Sequence, residues 1–256
     1  MDPEKITPAT VRDDFNDLTA VIHYTRAAHE IGLWRSEQLL IERHFTDRLA
    51  PVLEAGCGAG RATLGLWALG YRGLTAFDFA DELLDQARSL AAERTAETIR
   101  FLHADATKLD DVFPENSFAG ALFLFNGLMQ IPGRERRREA LRGLHRVTRP
   151  GAPLLFTTHD RNASEKEQEL WREETERWAQ GTQDPRLVEF GDRYFEEEGV
   201  GRTFMHLPDR AEILADLVST GWIHAFDAMR SELGQEPPEV LAFSDECRFW
   251  VAQRGR

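Results

Sequence analysis

Val52-Leu53-Glu54-Ala55-Gly56-Cys57-Gly58-Ala59-Gly60-Arg61 decides the fold of this chain. Val52–Glu54 reads as a buried strand, the three glycines as a sharp turn, and Arg61–Leu69 as a helix. Glycine lets a backbone turn tightly and approach a ligand where any side chain would clash. Two acidic residues follow at the ends of the next two expected strands, Asp78 closing Gly73–Asp78 and Asp105 following Ile99–Ala104. Three chemically marked strand ends in succession point to a nucleoside-bearing cofactor.

Working outward, short apolar runs alternate with amphipathic stretches. Further strands are expected over 119–125 and 152–158, and helices over 81–95 and 134–148. That rhythm predicts an α/β fold, a Rossmann-like doubly wound sheet that is mainly parallel with helices on both faces. Before it, Val11–Phe45 has helical spacing, with Gly32 breaking it and Ser36 as the N-cap of the second piece. After it, Ser164–Gln180 reads as a charged helix with Ser164 and Glu167 forming a capping box. Two strands, 191–197 and 202–207, follow around a turn containing Gly199 and Gly201. Pro208-Asp209-Arg210 opens a helix to about Thr220, and strands over 223–229 and 247–252 finish the chain. The expected division is a helical cap at 1–48, a binding core at 49–160, an inserted substrate cover at 161–207, and completion of the core sheet at 208–256.

A chain of 256 residues with 42% hydrophobic content suits one large α/β unit with an elaboration. Its formal charge of -13 argues against a nucleic-acid footprint and favours tolerance of a cationic ligand. The arginines between Arg134 and Arg149 crowd one helix, but Ala140, Leu141, Leu144 and Val147 make its apolar stripe, which leaves the arginines on the solvent side. The two cysteines, Cys57 and Cys247, exclude a disulfide framework, and no metal-ligand spacing is present. With neither a signal core nor a long apolar run, a cytoplasmic protein without a membrane association is expected, as monomer or homodimer.

In this setting the backbone N–H groups of Gly56–Gly60 can meet a carboxylate or phosphate. Asp78, about twenty residues on, is placed to accept from ribose hydroxyls. Asp105 can accept from the adenine amine, and Phe79 can pack on the adenine face.

Glu54-x-Gly56-x-Gly58-x-Gly60, Phe77-Asp78-Phe79-Ala80 and Ala104-Asp105-Ala106 resemble the successive cofactor motifs of class I S-adenosylmethionine-dependent methyltransferases of the small-molecule type. Ser117–Leu122 with Leu124-Phe125-Asn126-Gly127-Leu128 resembles the fourth motif, and Arg149-Pro150-Gly151 the turn before the fifth strand. Gly221-Trp222 stands where the family has Gly-Phe. The resemblance covers roughly residues 40–160 and 201–253. It implies a seven-stranded sheet with an antiparallel last strand and S-adenosylmethionine as cofactor. The product would be S-adenosylhomocysteine, and the acceptor an O, N or C nucleophile of a small molecule. It assigns Glu54, Gly56, Cys57, Gly58, Asp78, Phe79, Asp105, Ala106 and Leu124 to the cofactor, with Tyr24 and Trp34 folding over it from the N-terminal helices. Two departures stand out: Ala119 replaces the family's aspartate, and Gln130 follows Asn126 where relatives carry a histidine.

His159, past the fifth strand, and His206, before the closing helix, are the candidate general bases. The aromatics Trp171, Trp178, Phe190, Tyr194, Phe195 and Phe204 give the cover the composition of a small-molecule pocket. An RNA or protein substrate and a non-enzymatic S-adenosylmethionine-binding regulator are the rival readings. A nicotinamide dehydrogenase is disfavoured by the G-x-G-x-G spacing.

Overall fold

The structure, a computed structural model, describes residues 4–255. Helices α1 (Pro8–Phe15), α2 (Leu18–Arg26) and α3 (Arg35–His44) precede β1 (Pro51–Ala55), α4 (Arg61–Ala68), β2 (Gly73–Asp78), α5 (Asp81–Glu93) and β3 (Arg100–His103). Then come β4 (Gly120–Phe123), α6 (Arg134–Val147) and β5 (Pro153–Thr158). Next are α7 (Glu165–Gln180), β6 (Asp192–Glu197), β7 (Gly201–His206), α8 (Arg210–Ser219) and β8 (Trp222–Met229). Two short helices, α9 (Arg230–Leu233) and α10 (Pro238–Phe243), lead into β9 (Arg248–Arg254). Neither short helix carries enough periodicity to be read from sequence, and the 3₁₀ turns Ala106–Asp111 and Gly127–Gln130 were likewise not expected.

Seven strands form one sheet in the order β3-β2-β1-β4-β5-β9-β8, and β6-β7 form a separate hairpin. β1 to β5 pair in parallel, and β9 runs antiparallel to both its neighbours. Strand alternation divides the core into two layers. On β4 and β5, Leu122 and Leu155 face one layer with Leu40, Ile41 and Leu64, while Phe123 and Phe156 face the other with Leu141, Leu144 and Trp250. The strand order reverses between β1 and β4, so their crossover helices lie on opposite faces and leave a crevice over the strand ends.

The hairpin does not stand free. Ile6, Val11, Leu187 and Phe204 make a small core of their own, joining the chain before and within α1 to the hairpin. The Tyr194 hydroxyl donates to Asp14 Oδ2 at 2.8 Å. The N-terminal helices and the inserted segment therefore pack as neighbours over the sheet. Of the six aromatics expected in the cover pocket, only Phe195 lines a cavity. Trp171 and Trp178 instead pack edge-on against Phe190, at 5.5 and 6.2 Å, and anchor α7.

The structure departs from three expectations of the sequence. Ser36 does not cap α3: Trp34 holds the N-cap position, its N–H donates to Glu37, and the N–H groups of Arg35 and Ser36 donate to Glu236 from across the chain. A carboxylate two hundred positions away replaces the local hydroxyl, which sequence cannot show. Nor are all the α6 arginines solvated. Arg137 is 1% exposed and reaches Glu189 at 3.0 Å, while Arg134 and Arg138 both bond Asp216. At Ser164 only one half of the capping box forms, with its Oγ accepting from the Glu167 N–H.

Arg137 belongs to a buried latch. His206 contacts Asp192 through Nδ1 and Glu212 through Nε2, each at 2.8 Å, which ties β7 to the start of the hairpin and to α8. Burial alone would lower the His206 pKa, but these two carboxylates outweigh it and raise it. Burial would raise Glu212, yet His206, Arg137 and Arg161 bring it down to about 2. The stabilisation from His206 is thus fully present below its ordinary value near 6.5 and fades as pH rises through its raised value. That from Glu212 is present above about 4.5 and fades as pH falls towards 2. His206→Gln should cost about 3 kcal/mol near pH 6. The gap from wild type in urea unfolding should narrow between pH 6.5 and 9. A gap that stays constant with pH would remove the charge from this account.

Candidate functional site

The glycine turn sits at the carboxyl end of β1, where the strand order reverses. Gly56, Gly58 and Gly60 all have positive φ, at 61°, 52° and 85°. A Cβ on Gly56 would lie 2.7 Å from Phe123, so the position needs glycine for space as well as for conformation. Three of the loop's N–H groups are committed within the protein. Those of Cys57, Gly58 and Gly60 donate to Phe77 O, Asp78 Oδ2 and Cys57 O at 3.0, 2.7 and 2.8 Å. The loop is folded onto the end of β2.

Above it lies a cavity of about 320 Å³ whose border includes the carboxyl groups of Glu54, Asp78, Asp105 and Glu139 and the cationic side chains of Arg61, Lys108 and Arg136. Asp78 uses Oδ2 for Gly58 and Oδ1 for the Ala80 N–H at 2.9 Å, so it fixes two strand-end loops at once. Burial raises its pKa, partly offset by the backbone N–H groups of Ala80, Gly58 and Phe79. Asp105 Oδ1 caps the following turn by accepting from the Thr107 N–H and hydroxyl, and Oδ2 lies 4.0 Å from Lys108 Nζ. Glu54 is buried, accepts from the Thr63 hydroxyl and is pushed up to about 8 by burial. Gly56, Cys57, Gly58, Phe79, Ala106, Leu124 and Tyr24 also line this cavity.

Trp34 does not. It is 1% exposed, meets Phe125 edge-on at 5.6 Å, and lies beneath the guanidinium groups of Arg61 and Arg230 at 4.8 and 5.3 Å. Arg61 in turn holds Glu37 through two bonds of 2.7 and 2.6 Å and reaches Gly32 O at 2.8 Å. The expected aromatic contact with a ligand is a structural one, in which Trp34 supports Phe125 from behind. Arg61 closes the glycine motif, yet its part in this buried pair was not legible.

A second chamber of about 260 Å³ adjoins the first, and Tyr24, Phe125, Gln130 and Phe243 border both. Phe243 stacks on Phe125 at 5.3 Å and on His23 at 4.8 Å. Sequence reading missed Phe243 and His23, because neither sits in a motif and both gain a role only through the fold. The loop beneath is held in an uncommon backbone: Phe125 and Asn126 have φ of 52° and 60°, a conformation bulky residues rarely keep. The Asn126 N–H is pinned to Thr157 Oγ1 at 2.8 Å. Strain of this kind persists where surrounding contacts over-determine it.

His159 lies in this second chamber. Its Nδ1 is 3.0 Å from Glu246 O, which can only accept, so Nδ1 carries the hydrogen and Nε2 the lone pair. Nε2 accepts from Asn126 Nδ2 at 3.1 Å, and burial lowers the His159 pKa, keeping it neutral. That leaves Asn126 Oδ1 buried without a partner. His206 is elsewhere, in the latch, with both nitrogens engaged and away from both cavities. Geometry separates the two histidines that sequence offered together. Glu189, Asp192 and His206 bring possible metal-ligand atoms within 4.8 Å of one another, but Arg137 already supplies positive charge there.

The arrangement tests well against a nucleoside-bearing ligand with a cationic end. A glycine floor that a Cβ would fill admits close approach, two strand-end carboxylates offer acceptors, and Glu54 is a buried carboxyl awaiting a cation. A phosphate at the turn would face these acceptors with the N–H groups of Cys57, Gly58 and Gly60 already used.

Residues 52–151 match the sequence family described as a methyltransferase domain. A malonyl-[acyl-carrier protein] O-methyltransferase of Paenibacillus sp. (strain JDR-2) is 31% identical over 48% of this chain and 44% of its own length. A ubiquinone/menaquinone biosynthesis C-methyltransferase of Azotobacter vinelandii is 32% identical over 60% of each. The chain thus spans about half the length of these curated relatives. Among solved structures, the [4+2]-cyclase SpnF superposes with a TM-score of 0.69 at 17% identity, covering 100% of this chain and 99% of its own. A Burkholderia thailandensis 1,6-didemethyltoxoflavin-N1-methyltransferase with bound S-adenosylhomocysteine gives 0.61 at 18%, covering 100% and 94%. These structures share the fold. Among the described residues no helix is long and apolar enough to cross a membrane.

Gly56→Ala should lower stability by more than about 1 kcal/mol, since alanine disfavours positive φ and its methyl meets Phe123. Urea unfolding measures this. A neutral substitution would show that the turn can reorganise.

Proposed function

We propose that this chain, whose residues 52–151 match a methyltransferase domain, is a class I S-adenosylmethionine-dependent enzyme that transfers a methyl group to a nucleophile of a small molecule. The observation carrying this reading is the pair of adjoining chambers. One is glycine-floored and bordered by carboxyl groups; the other is walled by aromatics shared with the first. When bound, S-adenosylmethionine supplies an electrophilic methyl group on a positive sulfur and departs as S-adenosylhomocysteine.

The chain's own residues have separable tasks in this reading. Glu54 receives the ammonium of the amino-acid end, Asp78 accepts from the ribose hydroxyls with the lone pairs that Gly58 and Ala80 leave free, and Asp105 accepts from the adenine amine. Phe79 and Leu83 border the nucleoside, while Tyr24, Phe125 and Phe243 separate it from the acceptor. Burial raises the Tyr24 hydroxyl to about 12, so it stays protonated and acts as a donor. Transfer of this kind depends on alignment and exclusion of water, worth roughly 7–11 kcal/mol.

A small acceptor is favoured over RNA by the pairing of five of the six α6 arginines, all but Arg136, with carboxylates. Besides Arg137, Arg134 and Arg138, Arg142 is paired with Glu135 and Arg146 with Asp110. The cyclase neighbour shows that this fold also hosts other chemistry, so activity must be read from the site.

Asp78→Ala should weaken S-adenosylmethionine binding at least about tenfold, a loss of ~1.4 kcal/mol, in isothermal calorimetry. Unchanged affinity would remove the ribose assignment. Glu54 supplies a second test. With its pKa near 8 the free carboxyl is neutral at pH 7, and a bound ammonium favours the ionised form. Binding should then release a proton and tighten as pH rises from 6 to 8. Calorimetry in two buffers of different ionisation heat reads that proton. Glu54→Gln should abolish the buffer dependence, and identical heats for wild type in both buffers would contradict this role.

A further inference from the structure

We infer that the second chamber takes a small basic amine as methyl acceptor: Glu197 and Asp245 receive its ammonium, Asn126 Oδ1 accepts one of its N–H hydrogens, and His23 removes the proton that frees the nitrogen lone pair. This rests on the methyl-transfer reading above.

The chamber is rich in acceptors. Glu197 and Asp245 stand exposed at its rim, from the end of β6 and from the loop after α10, and no lysine or arginine lines it. Deeper, Asn126 is 2% exposed and its Oδ1 has no partner, because the tautomer of His159 commits the amide nitrogen to the ring. A buried carbonyl oxygen without a donor costs free energy until a ligand supplies one. An ammonium offers several N–H donors and positive charge together, and an alcohol offers one donor without the charge. The faces of Tyr24, Phe125, Phe195 and Phe243 complete the lining for a cation with an apolar body.

His23 is the base that geometry selects. His159 has both nitrogens engaged, whereas His23 shows no hydrogen bond among the described residues and stacks flat on Phe243. Its pKa is lowered by burial, with Arg26 acting in the same sense and Glu197 opposing, so it is neutral and able to accept a proton at pH 7. The other titratable groups of the chamber are Tyr24, His159, Glu197 and Asp245, and Glu167 and Arg193 act on His159 from α7 and β6. In the step itself an N–H proton passes to a His23 ring nitrogen. The freed lone pair forms the N–C bond while the S–C electron pair remains on sulfur. The product is a methylammonium, and the proton leaves His23 to solvent.

The test titrates phenethylamine, neutral phenethyl alcohol and anionic phenylpropionate into protein saturated with S-adenosylhomocysteine. The amine should bind at least about tenfold more tightly than the alcohol, and the anion more weakly than either. Glu197→Gln and Asp245→Asn should each reduce amine affinity about three- to tenfold while leaving the alcohol unaffected. Equal binding of amine and alcohol, preference for the anion, or no amine binding overturns the inference. Failure of S-adenosylhomocysteine itself to bind would instead sink the cofactor reading. For the proton transfer, formation of N-methylphenethylamine at saturating S-adenosylmethionine, which removes the Glu54 dependence of cofactor binding, is followed by mass spectrometry against pH. Wild type should show an acidic limb that His23→Gln lacks, with amine affinity retained in the variant. The same limb in both would remove His23 as the base.

Discussion

A parallel sheet whose strand order reverses between β1 and β4 sends its crossover helices to opposite faces, so neither crossover helix covers the strand ends at the reversal. The candidate site follows from that gap. Gly56–Gly60 turns beneath it, and Asp78 stitches the turn to β2 by accepting from Gly58 at 2.7 Å. The N-terminal helices, the β6-β7 hairpin and the α9–α10 segment converge above it. A cavity there is the consequence of topology before any residue is chosen.

The residues chosen make the gap acceptor-rich. Its own loop uses the N–H groups of Cys57, Gly58 and Gly60, and Glu54, Asp78 and Asp105 present carboxyl groups at the border. This distinguishes the site from one built for phosphates. The same electrostatic character extends into the neighbouring chamber, where the orphaned Asn126 Oδ1 and two rim carboxylates meet no cation. The chain's formal charge of -13 is consistent with attraction of cationic ligands. Two of the buried arginines are committed to carboxylates, Arg61 to Glu37 and Arg137 to the latch around His206, while Lys108 and Arg136 remain at the border of the first cavity.

Those two buried networks do the supporting work. Through Trp34, the Arg61–Glu37 pair braces Phe125, whose left-handed backbone forms part of the wall between the chambers. The His206 latch holds the hairpin to α6 and α8 and thereby sets the far wall. Each network joins residues far apart in the chain. For that reason Trp34 was expected against the cofactor, Ser36 as a local cap, and His206 as a base.

Residues 49–160 were the most legible part, because the alternation of short apolar strands with amphipathic helices is local and the glycine and aspartate signals lie at its strand ends. Strand positions after Gly191 were also readable, from turns and periodicity. The sequence by itself determined the doubly wound sheet, the place of the glycine turn, and the acidic residues ordered along three consecutive strand ends. Those features depend on near neighbours and on hydrophobic periodicity. Only the tertiary structure decided which histidine keeps a free nitrogen, which arginines are buried, and that Phe243 closes the wall between two chambers. These are facts of contact between distant segments, and a residue's partners, unlike its propensity, exist only once the chain has packed.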